Sequence, residues 1–167
     1  MAPDPAATAA LPPDLAVLAP LVGTWSGPGH GSYPTIEPFD YVETVTFEPT
    51  GKPFLVYRQT TRRAADGVPL HTETGYLRLG RPGQVELVVA QPIGIVEVDE
   101  GPIDADGGDL RLMLRSRLVG TTATAKTVDA VERTLAVTAD ILHSTLAMAA
   151  VGTPLTGHLD ATLHRQR

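Results

Sequence analysis

Histidine is the residue type in this 167-residue chain best suited to chemistry near neutral pH, and it occurs five times: His30, His71, His143, His158 and His164. An imidazole can move a proton, or offer an unprotonated ring nitrogen to a metal. No two of the five stand at the i, i+4 spacing of a zinc-protease helix. No cysteine accompanies them, which removes disulfides, thiolate ligation, iron–sulfur clusters and cysteine nucleophiles together. No serine occupies a G-x-S-x-G elbow, so a Ser-His-Asp hydrolase is not indicated. On residue types alone, the lesser alternative is zinc held by histidines and carboxylates from separate strands.

His158 is the most informative of the five. It lies in Thr153-Pro154-Leu155-Thr156-Gly157-His158-Leu159-Asp160-Ala161-Thr162-Leu163-His164-Arg165, at the start of the last expected strand. A lone histidine there is ordinarily a solvated surface residue. Strand alternation puts His158 in phase with Asp160, Thr162 and His164, while Leu159, Ala161 and Leu163 form the apolar face. An inward His158 therefore requires a bulge, or a strand that becomes regular only after it.

The second notable stretch is Gly23-Thr24-Trp25-Ser26-Gly27-Pro28-Gly29-His30-Gly31-Ser32-Tyr33-Pro34-Thr35-Ile36, which holds the single tryptophan. Glycines at this spacing are wrong for a helix interior, where each costs about 1 kcal/mol relative to Ala. In a strand, Gly23, Gly27, Gly29 and Gly31 share one face with Trp25. That face marks either a strongly curved strand or a wall that something large and flat approaches closely. Trp25 is placed to plug one end.

The elements that must position these residues read almost entirely as strands. Residues 1–13 are Ala/Pro-rich and read as a disordered tail, with no basic start or apolar stretch of a signal peptide. A short helix is expected over 14–22, with Leu15, Leu18, Leu21 and Val22 on one stripe covering a barrel end. Beyond the glycine strand, further strands are expected at 41–48, 54–62, 68–79, 84–90, 93–99, 110–118, 126–137, 142–150 and 157–165. Residues 101–108 read as an acidic, Gly-rich turn. Connections this short exclude parallel crossovers. The expected fold is therefore all-β: a ten-stranded antiparallel up-and-down barrel of the lipocalin/fatty-acid-binding type, a single domain over residues 14–167 with no repeat. A net charge of −6 argues against a nucleic-acid partner. No apolar run is long enough for a membrane span, so a soluble cytoplasmic protein is the expectation.

From about residue 18 to residue 165 the chain resembles the nitrobindins, small haem-binding β-barrels. The glycine motif, G-x-W-x-G-x-G-x-G-x-Y-P, and the terminal T-P-L with its H-L-x-A-x-L carry the resemblance most specifically. The segment Leu70-His71-Thr72-Glu73-Thr74-Gly75-Tyr76 also matches. Leu70 stands where some members have another apolar residue, and the N-terminal tail has no clear counterpart. The resemblance implies one haem b per subunit, with His158 as the proximal iron ligand and Gly157 leaving room for the macrocycle. It implies that Thr35 and Lys126 contact the haem periphery, where a hydroxyl and an ammonium suit propionates. His71 would stand near the open side of the iron, Met148 would line the cavity, and Gln91 is a weaker candidate for the same lining. The implied activity is isomerisation of peroxynitrite to nitrate at ferric iron, with reversible nitric oxide binding; a homodimer is left open. Two alternatives share the barrel: a carrier of a small apolar ligand, and a haem-based nitric oxide sensor. Carriers of that type often use an Arg–Tyr pair for a ligand carboxylate, and the sequence alone assigns no such pair.

Overall fold

In the computed structural model, which describes residues 9–167, alternation of apolar and polar residues resolves into ten strands. They are β1 (Gly23–Tyr33), β2 (Ile36–Pro49), β3 (Leu55–Arg63), β4 (Pro69–Leu79), β5 (Gln84–Gln91), β6 (Ile95–Asp106), β7 (Asp109–Thr121), β8 (Val128–Thr138), β9 (Ile141–Ala150) and β10 (Thr153–Arg165). Each strand pairs antiparallel with the next, and β10 returns to β1 to close the barrel. Closure leaves no unpaired edge. The expected up-and-down barrel is the observed fold. β6 is longer than its sequence suggests. It runs through the acidic stretch to Asp106, so only the Gly107-Gly108 pair remains as the turn.

One end of the barrel is sealed. The expected helix is a 3-10 helix, Pro13–Leu21, in which Leu15, Leu18 and Leu21 are buried. A spacing of three residues suits a helix of three residues per turn, because all three leucines then fall along one edge. Trp25 is fully buried beneath it, and its indole N–H donates to the Leu21 carbonyl at 2.8 Å. Arg165 lies over the indole, 4.1 Å from its centroid, and donates to the carbonyls of Val22 (2.7 Å) and Pro20 (2.8 Å). Residues 1–8 of the expected tail lie outside the described residues, and Leu11 packs against the core.

Two of the β1 glycines, Gly29 and Gly31, accommodate flat groups from the neighbouring strand. A Cβ on Gly29 would sit 2.3 Å from the Tyr41 ring, and one on Gly31 would sit 2.3 Å from the Phe39 ring. Phe39 and Tyr41 face the interior and line its cavity, so the bare backbone of β1 backs these rings rather than the cavity itself.

Candidate functional site

The end opposite the 3-10 helix is open. There the β1–β2, β5–β6, β7–β8 and β9–β10 connections ring a cavity of about 450 Å³. In a ring of ten strands β10 and β5 are diametrically opposed, with β4 one place further round. His158 therefore enters from one wall, and Gln91 and His71 enter from the other.

A bulge turns His158 inward. Gly157 pairs with Ala147 and Leu159 with Leu146, so two steps along β10 match one along β9 and His158 is the extra residue. As a result the consecutive residues His158 and Leu159 both line the cavity. The His158 ring is held edge-on against Tyr33, with centroids 5.4 Å apart, and its Nδ1 lies 3.0 Å from the Ser32 carbonyl. A carbonyl only accepts, so Nδ1 carries the proton and Nε2 keeps its lone pair. The Tyr33 hydroxyl is itself fixed, donating to the Met148 carbonyl (3.1 Å) and accepting from the Ala150 amide (3.0 Å). Beside His158, a Cβ on Gly157 would meet nothing within 4 Å.

The remaining candidates converge on the same space. Thr35 sits in the β1–β2 turn, Lys126 in the β7–β8 connection, His71 on β4, Gln91 at the end of β5 and Met148 on β9, and all line the cavity. Lys126 differs from expectation in one respect, since β8 begins at Val128 and leaves the lysine in the loop before it. Trp25 belongs to the sealed end. His30 and His143 are partnered on the outer face by Asp40 (2.8 Å) and Asp160 (3.0 Å). Among the described residues, no three His, Asp or Glu side chains come together as a metal-ligand set.

Sequence reasoning missed the floor of the cavity, which is a buried charge cluster. Arg133 of β8 donates through Nη1 to Glu73 (2.6 Å) and through Nη2 to Glu97 (2.8 Å), and lies 3.4 Å from Asp99. Tyr57 donates its hydroxyl to Glu73 at 2.6 Å. Nε2 of His71 lies 3.7 Å from the same carboxylate, and Gln91 donates through Nε2 to Glu97. Burial opposes the charge on Glu73, but Arg133, the hydrogen bonds from Arg133 and Tyr57, and the neighbouring His71 outweigh it and hold this carboxyl well below the usual range. Two other acids go the opposite way. Burial, then repulsion from Glu73, pushes Glu43 up to about 7; burial, then Glu97, pushes Asp99 up to about 7. A signal for this cluster was present, because Glu43, Glu73, Glu97, Asp99 and Arg133 all fall in phase with inward apolar neighbours.

The cluster also bears on the carrier alternative. An Arg–Tyr pair does exist inside the barrel, in Arg133 and Tyr57. Both are engaged on the chain's own Glu73 rather than waiting for a ligand carboxylate.

Residues 14–165 match the family described as "THAP4-like, heme-binding beta-barrel domain". "Peroxynitrite isomerase 2" of Mycobacterium avium is 55% identical over 157 residues, covering 94% of this chain and 98% of that protein. "Peroxynitrite isomerase" of Nocardia farcinica is 52% identical over 162 residues, covering 97% and 96%. The crystal structure of Rv2717c from M. tuberculosis superposes with a TM-score of 0.92 at 52% identity, covering 95% of this chain and all of that one. The chain belongs to the THAP4-like haem-binding β-barrel family.

Proposed function

We propose that this protein is a haem-dependent peroxynitrite isomerase that also binds nitric oxide reversibly. The observation that carries the reading is His158. It is re-aimed into the cavity by a bulge, and the Ser32 carbonyl accepts a hydrogen bond from Nδ1–H, leaving the Nε2 lone pair to ligate. The names of the relatives from M. avium and N. farcinica support the choice of reaction.

The residues present fit a haem. Gly157 leaves open space beside the ligating ring, and Ile36, Leu70, Ile93, Met148 and Val151 offer an apolar lining to a macrocycle. Thr35 and Lys126 stand at the rim, where a hydroxyl and an ammonium suit the propionates. Ferric haem supplies a Lewis acid for the redox-neutral rearrangement of peroxynitrite to nitrate. The partner of His158 is a neutral carbonyl rather than a carboxylate, so its imidazole is not driven toward imidazolate and lacks the electron push suited to peroxide cleavage.

Stopped-flow decay of peroxynitrite tests the reading, with nitrate and nitrite measured as products. Haem-loaded wild type should speed decay and raise the share of nitrate, and His158→Ala should lose the catalysed phase. Equal decay with and without the loaded protein would remove the isomerase assignment. A nitrosyl spectrum that reverses under argon tests nitric oxide binding separately.

A further inference from the structure

Arg133 crosses the barrel interior from β8 and meets two carboxylates that each have a second, different neighbour. Glu73 has Arg133 on one side, at 2.6 Å from Nη1 and 3.2 Å from Nη2, and Nε2 of His71 on the other at 3.7 Å. Glu97 accepts from Nη2 and Nε of Arg133, at 2.8 and 3.2 Å, and from the side-chain amide of Gln91. Tyr57 fixes Glu73 further, through a 2.6 Å hydrogen bond. All three members of the core, Arg133, Glu73 and Glu97, are buried, whereas His71 and Gln91 reach the open cavity on the wall facing His158.

We propose that Arg133, Glu73 and Glu97 form a positioning frame, in which Glu73 sets the orientation and tautomer of His71 and Glu97 sets the orientation of Gln91. The two framed side chains then address the small ligand on the side of the site opposite His158. The inference rests on His158 as the haem ligand for its functional meaning, but the frame belongs to the chain itself. Geometry supports it in three ways. His71 turns Nε2 toward the Glu73 carboxylate, 3.7 Å away, and a carboxylate only accepts, so this neighbour favours the proton on Nε2 and leaves Nδ1 unclaimed. Gln91 spends one N–H on Glu97 and keeps its Oε1 and second N–H. The guanidinium fork is planar and grips both carboxylates at once, so the two cavity-facing side chains are held relative to each other as well as to the wall. Arg133, Glu73 and Glu97 act through His71 and Gln91, and are positioning residues rather than catalytic ones.

The test has two arms. In haem-free protein labelled with ¹⁵N, the ring nitrogens of His71 report its tautomer directly. Wild type should show the Nε2-protonated form, and Glu73→Gln should lose that bias; an unchanged His71 signature would overturn the frame. In haem-loaded, reduced protein, the C–O stretch of bound carbon monoxide reads the field of nearby polar groups. Glu73→Gln should displace and broaden this band in the wild-type background and displace it far less in a His71→Leu background. Equal displacement in both backgrounds would show a structural effect that bypasses His71 and overturn the proposal. Should Glu73→Gln fail to fold, Tyr57→Phe removes one support of Glu73 and should shift both readouts in the same direction; no shift in either would overturn it. A wild type without a Soret band defeats the haem reading alone, and the ¹⁵N arm then decides the frame.

Discussion

Glu43→Gln should leave the protein more stable than wild type at pH 8 by a margin that shrinks sharply at pH 5. Glu43 is buried on the inward face of β2, and its carboxyl is pushed up to about 7 by burial first and by repulsion from Glu73 second. The neighbouring Gln59 side chain and the Arg133 charge only partly offset this. Because the folded-state value lies above the unfolded one, folding favours the protonated form. The associated stability is complete below about 4.5, declines as the pH rises, and is gone once the pH has passed about 7. At about 1.4 kcal/mol per pH unit the whole effect is about 3 kcal/mol, most of which falls between pH 5 and pH 8. A glutamine carries no proton to lose, so the variant should not show that part of the decline. Asp99 titrates in the same direction, but it is common to both proteins and cancels in their difference. Urea unfolding of both proteins at the two pH values measures that difference by linear extrapolation. A variant-minus-wild-type difference that is the same at pH 5 and pH 8 would refute the reasoning, because Glu43 would then titrate alike in folded and unfolded chains.

Three further outcomes follow from the geometry. Arg165→Met removes the bonds to Val22, Pro20 and Asp140 and the cation over Trp25; it should cost about 2 kcal/mol in denaturant unfolding while leaving haem affinity unchanged, since the seal is at the far end from the cavity. Gly29→Ala forces a methyl group into the buried Tyr41 ring and should cost about 1–3 kcal/mol, whereas Gly157→Ala, with nothing within 4 Å, should leave haem-free stability within about 0.5 kcal/mol. If Lys126 meets a propionate as proposed, Lys126→Glu should weaken haem binding by about fivefold, without moving the melting temperature of the haem-free protein.

The barrel was legible because alternation is a local signal, and ten such runs with short connections leave little choice of topology. The misplaced boundaries have specific causes. Residues 101–108 look like a turn because they combine Gly, Pro and two acids, yet pairing with β7 draws 101–106 into β6. Lys126 looked like a strand residue because the apolar alternation begins just after it. His158 posed the hardest problem, since its parity points outward and only the β10 register against β9 reveals the extra residue. The charge cluster was visible as inward-phase acids and one arginine, but which acid meets Arg133 depends on side chains from β3, β4, β6 and β8 converging across the barrel. Alternation along single strands cannot supply that convergence.

The most direct test of the central claim is a ferric haem titration followed at the Soret band, with wild type, His158→Gly, and His158→Gly in added imidazole. Wild type should saturate at one haem per chain with the spectrum of imidazole ligation. The glycine variant should lose that spectrum, and free imidazole should restore it by filling the space the side chain left. A glycine variant that binds haem with the wild-type spectrum and no need of imidazole would contradict ligation by His158, and with it this account of what the barrel's open end is for.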